Sequence, residues 1–264
     1  MLPTPSTDHV AFERIYEPAE DSFLLLDTLS SETEKAFLRE HFSNPIQGCR
    51  KPLPSPFVVE IGTGSGVVIS FLDAHAETIF GREDVVTAGV DVNRFACKAT
   101  VETVKVADRE QAVKQIAHGF YLGNILGDLT APLRGGMVEL LIFNPPYVPT
   151  QDLPALPQVL EQLDKEPSYE DDSHLLSLSY AGGSDGMETT NRLLGDLPNV
   201  LSLDRGCAYI LLCAQNKPEQ VKEQIREWGP GWAVETVGRS GKKGGWEKLQ
   251  IIRIWRVPNR NIPN

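Results

Sequence analysis

Basic charge is scarce in this chain. Its 264 residues carry 25 Lys and Arg against 36 Asp and Glu, a formal net charge of -11. A protein that wraps DNA or RNA draws affinity from neutralised phosphates and normally shows a basic face. The acidic balance favours a protein substrate or a basic partner surface instead. Cysteine is sparse too. Cys49, Cys97, Cys207 and Cys213 have no CxxC or Cys/His spacing of a zinc site. Cys207 and Cys213 lie in an apolar run and read as small buried residues. Free thiols without a signal peptide point to a reducing compartment, cytoplasmic or nuclear. No apolar stretch approaches the roughly 20 residues that span a bilayer. Internal repeats and coiled-coil heptads are missing as well.

What is present is an alternation of strand and helix patterns. Apolar strands are expected at 57–61, 85–90, from 120, at 138–143 and at 207–213, with helices at 67–75, 94–106, 187–197 and 218–228 between them. Strands separated by helices of this length make a parallel sheet covered on both faces. Stretches 232–237 and 248–255 add an antiparallel pair at its end. Upstream, Ser22 is a plausible N-cap for an apolar helix, and a second helix runs over 31–41. Glu20 and Asp21 could help to organise the site, but read first as charges favourable to a helix N-terminus. Residues 1–15 are polar and without periodicity, so they are expected to be loose. A proline-rich connector covers 44–56. Residues 151–183, with Pro154, Pro157, Pro167 and the acidic Glu170-Asp171-Asp172, read as a long substrate-side loop. The whole chain, 1–264, is expected to form one domain.

Two constellations carry chemistry. Glu60-Ile61-Gly62-Thr63-Gly64-Ser65-Gly66 follows a strand and opens a helix. Glycines at such a turn let backbone approach a ligand. The spacing is G-x-G-x-G with a preceding acid, not the G-x-G-x-x-G of dinucleotide enzymes. This is the form found where S-adenosylmethionine binds and no pyrophosphate has to be cradled. Asp91 ends the second strand, where a carboxylate can accept both ribose hydroxyls. Asp128 follows the third, placed to accept from the adenine amino group. All three acids sit at carboxyl ends of adjacent strands, where open α/β sheets bind ligands.

The second constellation is Asn144-Pro145-Pro146-Tyr147 at the end of the fourth strand. Prolines lack N–H donors and stiffen backbone, leaving carbonyls free and fixed. The Asn144 side chain and the Pro145 carbonyl can accept both N–H bonds of a planar amide or amino group, and Tyr147 can stack on it. Accepting those bonds raises electron density on a delocalised nitrogen and stabilises the charge that develops during methyl transfer. The reaction requires no metal. By itself this site fits a glutamine amide or an adenine amino group. Lysine is a further candidate, since residues 170–172 could attract a basic tail.

Tyr16-Glu17-Pro18-Ala19-Glu20-Asp21-Ser22-Phe23-Leu24-Leu25-Leu26-Asp27, together with both constellations, Tyr180 to Glu188, Arg192 and the Lys242-Lys243 tract before Glu247 and Leu249, resembles the HemK-type methyltransferases. Within them it is similar to the eukaryotic and archaeal branch that modifies the glutamine of the Gly-Gly-Gln loop in class I release factors. The resemblance implies a Rossmann-like class I methyltransferase fold, a seven-stranded mostly parallel sheet of order 3-2-1-4-5-7-6. It implies cofactor contacts at Ser22, Glu60, Gly62, Gly64, Ser65, Gly66, Asp91, Val92, Asp128, Leu129 and Asn144, with chemistry at Asn144, Pro145, Pro146 and Tyr147. It also implies a small zinc-binding activator subunit as partner in a heterodimer. In that strand order the third strand lies at the sheet edge, and its Phe120, Tyr121 and Leu122 would be uncovered without a partner. The alternatives that stay open are protein (histone) lysine methylation and, further off, DNA adenine methylation, which needs a base-flipping DNA grip.

Overall fold

The computed structural model describes residues 2–43, 53–157, 168–241 and 248–257. Much of the 44–56 connector, residues 158–167 of the long loop, and the Lys242-Lys243 tract with Glu247 lie outside these. In chain order the elements are α1 (Glu20–Leu29), α2 (Glu32–Ser43), β1 (Phe57–Ile61), α3 (Val67–Ala74), α4 (Ala76–Phe80), β2 (Val86–Asp91), α5 (Arg94–Lys114) and β3 (Phe120–Leu126). They continue with β4 (Leu140–Phe143), α6 (Tyr169–Ser177), α7 (Glu188–Val200), β5 (Cys207–Leu212), α8 (Pro218–Arg226), β6 (Trp232–Arg239) and β7 (Gln250–Arg256). The seven strands form one sheet of order β3-β2-β1-β4-β5-β7-β6, as the family resemblance implies. Neighbours from β3 to β5 run parallel, and β7 is antiparallel to both β5 and β6.

The central strands are apolar on both sides because helices cover both faces. Register places Val58 beside Leu140 and Leu140 beside Cys207, all in the core under α1, α2 and α3. The alternate set, Val59, Leu141 and Ala208, faces α7 and α8. Burying one such aliphatic side chain contributes about 1.5–3 kcal/mol. One charged group crosses the first core. Arg253 of β7 pairs with Glu34 of α2 at 2.6 Å, and the Tyr209 hydroxyl donates to the same carboxylate at 2.5 Å. Removing one partner of such a buried pair costs about 3–5 kcal/mol.

Several sequence expectations are revised. Residues 2–15 are not loose: Val10 and Ile15 are buried against Ala96 and Ala99 of α5, and the His75 ring bonds the Pro3 carbonyl at 2.8 Å. Ser22 is not the cap of α1. That position belongs to Ala19, and Ser22 sits buried in the first helical turn. The long loop contains helix α6, capped by Ser168, whose hydroxyl accepts the Asp171 N–H while Asp171 accepts from the Ser168 N–H. Strand β4 begins at Leu140, and Val138 makes only an isolated bridge to Leu201. Among the described residues no helix is long and apolar enough to cross a membrane.

Candidate active site

The carboxyl ends of β1, β2, β3 and β4 open into one cleft, closed above by the segment before α1 and by residues around α6 and α7. Its floor is the glycine turn after β1. Gly62, Gly64 and Gly66 all have positive φ, at 67°, 52° and 80°. At Gly66 a Cβ would lie 2.6 Å from the Thr100 backbone, so the third glycine serves helix packing. Unlike Gly62 and Gly64, it does not line the cleft. Glycine also cannot cap α3 with a side chain. Glu60 does this from the preceding strand, accepting the Ile69 N–H at 2.9 Å. Burial pushes the Glu60 carboxyl well above the ordinary range.

Asp91 is buried at the end of β2, where one oxygen accepts the Gly64 N–H at 3.0 Å and the other the Asn93 N–H at 2.8 Å. Burial raises its carboxyl, and these N–H bonds and the Thr63 hydroxyl oppose the shift. Thr63 is itself held by Asn124 of β3 and Thr100 of α5, each at 2.8 Å. Each carboxylate oxygen keeps lone pairs beyond its backbone bond. Val92 and Leu129 line the same wall, Leu129 with a positive φ of 47°. Asp128 lines it too, but its carboxylate is ion-paired with Arg192 of α7. An adenine amino group would therefore share Asp128 with a guanidinium that sequence reasoning left without a role.

At the end of β4, Asn144 and Pro146 line the cleft; Pro145 and Tyr147 are buried and do not. Tyr147 thus departs from the expected stacking platform. Its ring belongs to the core, and its hydroxyl approaches Asp21 at 3.4 Å. Asp21 does more than place a charge at a helix N-terminus. It is buried in the first turn of α1, and its Oδ2 accepts from Asn144 Nδ2 at 3.0 Å. The other oxygen accepts the Ser22 N–H at 2.6 Å. The Asn144 amide is thereby oriented: its nitrogen faces the carboxylate, and its Oδ1 is buried without a hydrogen-bond partner. A buried orphan acceptor is costly unless a ligand satisfies it.

The loop after β4 is held by the segment around residues 180–188. Val148 bonds to both Tyr180 and Gly182, its N–H donating to the Tyr180 carbonyl at 2.9 Å and its carbonyl accepting the Gly182 N–H at 2.8 Å. A Cβ at Gly182 would meet the Pro146 carbonyl at 2.3 Å, and one at Gly186 the Tyr147 carbonyl at 2.0 Å. Asn216 adds a bond to the Tyr147 carbonyl at 3.1 Å. Over the cleft, the Asn93 side chain donates to the Arg14 carbonyl at 2.9 Å, and Arg14 pairs with Asp172 of α6 at 3.1 Å. Of the acidic trio, Asp171 caps its own helix and Asp172 holds Arg14, which leaves little of that cluster for a basic tail.

The residues fit a cationic adenosyl cofactor. The carboxyl groups of Asp21, Glu60 and Asp91 line one cleft, where a sulfonium and an ammonium would find acceptors, and the turn is open where a Cβ at Gly64 would meet nothing.

No protein-family model matches the chain. Over 263 residues it is 32% identical to the eRF1 methyltransferase catalytic subunit mtq2 of Schizosaccharomyces pombe, covering 98% of each chain. The methyltransferase HEMK2 of Homo sapiens is 28% identical over 95% of each. A release factor glutamine methyltransferase of Bacillus cereus is 28% identical over 68% of this chain and 54% of its own. Among solved structures, a human methyltransferase 10 domain containing protein superposes with a TM-score of 0.50 at 12% identity, covering 94% of this chain and 87% of that one, a likeness of fold.

Proposed function

The chain belongs to the HemK-type methyltransferases and is an S-adenosylmethionine-dependent enzyme, and we propose that it methylates the side-chain nitrogen of the Gly-Gly-Gln glutamine in a class I release factor. The observation that carries this reading is the oriented Asn144 amide, a buried acceptor at the mouth of an acidic cofactor cleft. The names borne by its relatives, eRF1 methyltransferase and release factor glutamine methyltransferase, supply the substrate. One methyltransferase domain, 1–264, does the work.

The cofactor, when bound, supplies an electrophilic methyl on a sulfonium. The chain has to hold and orient. Asp91 accepts the ribose hydroxyls, the Gly62 to Gly64 turn makes room for the methionine portion, and Ser22, Ser65, Val92, Asp128 and Leu129 line the pocket. Asn144 Oδ1 accepts one N–H bond of the glutamine amide, turning its nitrogen towards the methyl; the Pro145 carbonyl, buried behind the cleft wall, takes the second only if substrate binding exposes it. These acceptors favour the amide most as its nitrogen gains positive charge. Pro146 stiffens the loop. Tyr147 braces it through the core and, with Asp21, keeps Asn144 in register.

The partner in this reading is a small zinc-binding activator subunit that adds a strand along β3. Support comes from the edge position of β3 and from Phe120 and Leu122, 67% and 69% exposed on it. Such a heterodimer would act on release factors in the cytoplasm, and in the nucleus where they enter it. Methyl transfer from labelled cofactor to a release factor, with mass spectrometry locating the product, tests the reaction. Glutamine should be labelled, and Asn144→Ala should abolish labelling while cofactor still binds. Transfer at the normal rate by Asn144→Ala would remove the site. Phe120→Glu with Leu122→Glu should abolish co-purification with the activator; retained pairing would rule out the β3 interface.

A further inference from the structure

At the opposite end of the sheet, a histidine and two aspartates meet where β3 begins. Asp73, in α3, is fully buried. Its Oδ1 accepts from the Thr87 hydroxyl at 2.6 Å, while its Oδ2 is buried and has no hydrogen-bond partner. That oxygen faces the His118 ring, with Nδ1 3.8 Å away. Asp108, on α5, approaches the same nitrogen at 3.7 Å through an Oδ1 that is also buried and without a hydrogen-bond partner. The three donor atoms lie within 4.8 Å of one another. The Gly119 carbonyl, 2.9 Å from His118 Nδ1, brings a fourth donor atom to the same spot.

The backbone makes this convergence rigid. Gly119 donates its N–H to the Asp73 carbonyl at 2.8 Å, and a Cβ there would lie 2.8 Å from Asp73 Oδ1 and 2.9 Å from the Val85 carbonyl. Two carboxylates facing each other away from water are costly unless something positive lies between them. One imidazole and two carboxylates, with a carbonyl beside them, are the donors that zinc and manganese take. A nitrogen and an oxygen about 3.7 Å apart are close to the spacing of two ligands on one such ion, whose bonds are about 2.0–2.2 Å.

We propose that Asp73, Asp108 and His118 form a structural site for a divalent cation of the zinc or manganese kind, tying the end of α3 to α5 and to the entry of β3. His118 Nδ1 turns its lone pair to the ion, its proton moves to Nε2, and the Gly119 carbonyl exchanges its ring contact for the metal. Asp73 is the buried anchor. His118 and Asp108 keep about a third of their side-chain surface exposed and give the ion its path from solvent. The site stands apart from methyl transfer. β3 leads away from it over seven residues, roughly 20 Å of strand, before the chain reaches Asp128 at the cofactor end. It supports the strand on which the activator would sit.

The test uses the full chain, with the activator present in every sample wherever the chain requires it, so that the activator's own zinc cancels. Wild type, His118→Gln and Asp108→Asn are dialysed against Mn²⁺ or Zn²⁺ and their metal content is measured. Wild type should hold one more ion per chain than either variant. Its melting midpoint should rise by about 5–10 °C at a hundredfold excess over Kd, and theirs should not. Because a variant could fold poorly, pulsed electron paramagnetic resonance on Mn²⁺-loaded wild type provides a second readout, in which imidazole nitrogen coupling should appear. Equal metal content in all three proteins, no uptake by wild type at millimolar metal, or bound Mn²⁺ without nitrogen coupling would each overturn the site and leave a carboxyl pair sharing a proton.

Discussion

Replacing Asp21 by Asn changes one atom and, by the geometry of the cleft, should reverse the Asn144 amide. In the wild type Asp21 Oδ1 takes the Ser22 N–H and Oδ2 takes Asn144 Nδ2. An Asn at 21 has only one oxygen, and the buried Ser22 N–H claims it. Its NH₂ group then faces Asn144, donor against donor, and the Asn144 amide turns so that its own oxygen makes the contact. The cleft now receives Nδ2 where the substrate amide needs an acceptor. To react, the site must first turn Asn144 back and leave buried donors facing each other, at a cost of about 1–3 kcal/mol. This corresponds to a loss of about 5- to 150-fold in kcat/KM.

Asp21→Ala behaves differently. It removes the orienting acceptor but opposes neither orientation, so about half of the molecules keep Oδ1 towards the substrate and the loss from orientation alone is about twofold. The conservative change should therefore be the more damaging one. Initial rates of methyl transfer to a release factor, with cofactor affinity and melting temperature measured alongside, decide the matter. If Asp21→Asn is as active as Asp21→Ala, or more so, Asp21 does not orient Asn144.

Asp91→Ala should weaken cofactor binding by about 10- to 100-fold, the loss of two hydrogen bonds of ordinary strength, and calorimetry with cofactor or its demethylated product reads this directly. Gly182→Ala drives a methyl into the Pro146 carbonyl and the Gly186 backbone. A destabilisation of about 1–3 kcal/mol in a denaturant melt is expected, with activity falling beyond what the unfolded fraction explains. For Glu60, the folded carboxyl titrates well above the unfolded one because it is buried. The protonated form is therefore the one that folding favours. Its contribution is complete below the unfolded carboxylate range and fades as pH rises towards the folded value. Glu60→Gln, which still offers an oxygen to Ile69, should thus raise the apo melting temperature near neutrality, and this gain should vanish by about pH 4. A gain that does not depend on pH would mean that ionisation of Glu60 is not its source.

The sheet was legible because its signals are local and repeat. Short apolar runs ending at Gly62, Asp91 and Asn144 set β1, β2 and β4, and intervening helical stretches require parallel crossovers. The elements that escaped have little local signal. Segment 2–15 contributes only two buried aliphatics, Val10 and Ile15, too few for a period. Its order depends on long-range partners, His75, Asn93 and Asp172. α6 buries only Leu175, so no apolar stripe announces it. One mark was readable: Ser168 with an acid three residues on is a capping box, and the surrounding prolines outweighed it.

The site divides along the same line. The glycine turn and Asn144-Pro145-Pro146-Tyr147 are contiguous in sequence, whereas Asp21 meets Asn144 across 123 positions. Two acids open α1, and acids at a helix start are favourable whether or not they touch anything else. Their neighbours separate them. The buried stripe of α1 runs through Leu25, Leu26, Thr28 and Leu29. At about 100° per residue, position 21 is in phase with 25 and 28, and position 20 is turned towards solvent. Glu20 is exposed and Asp21 buried, as that phase requires. A carboxylate in phase with the apolar stripe must find polar partners or lose its charge. Here the partners are the backbone of its own helix and the one amide that the chemistry needs held still.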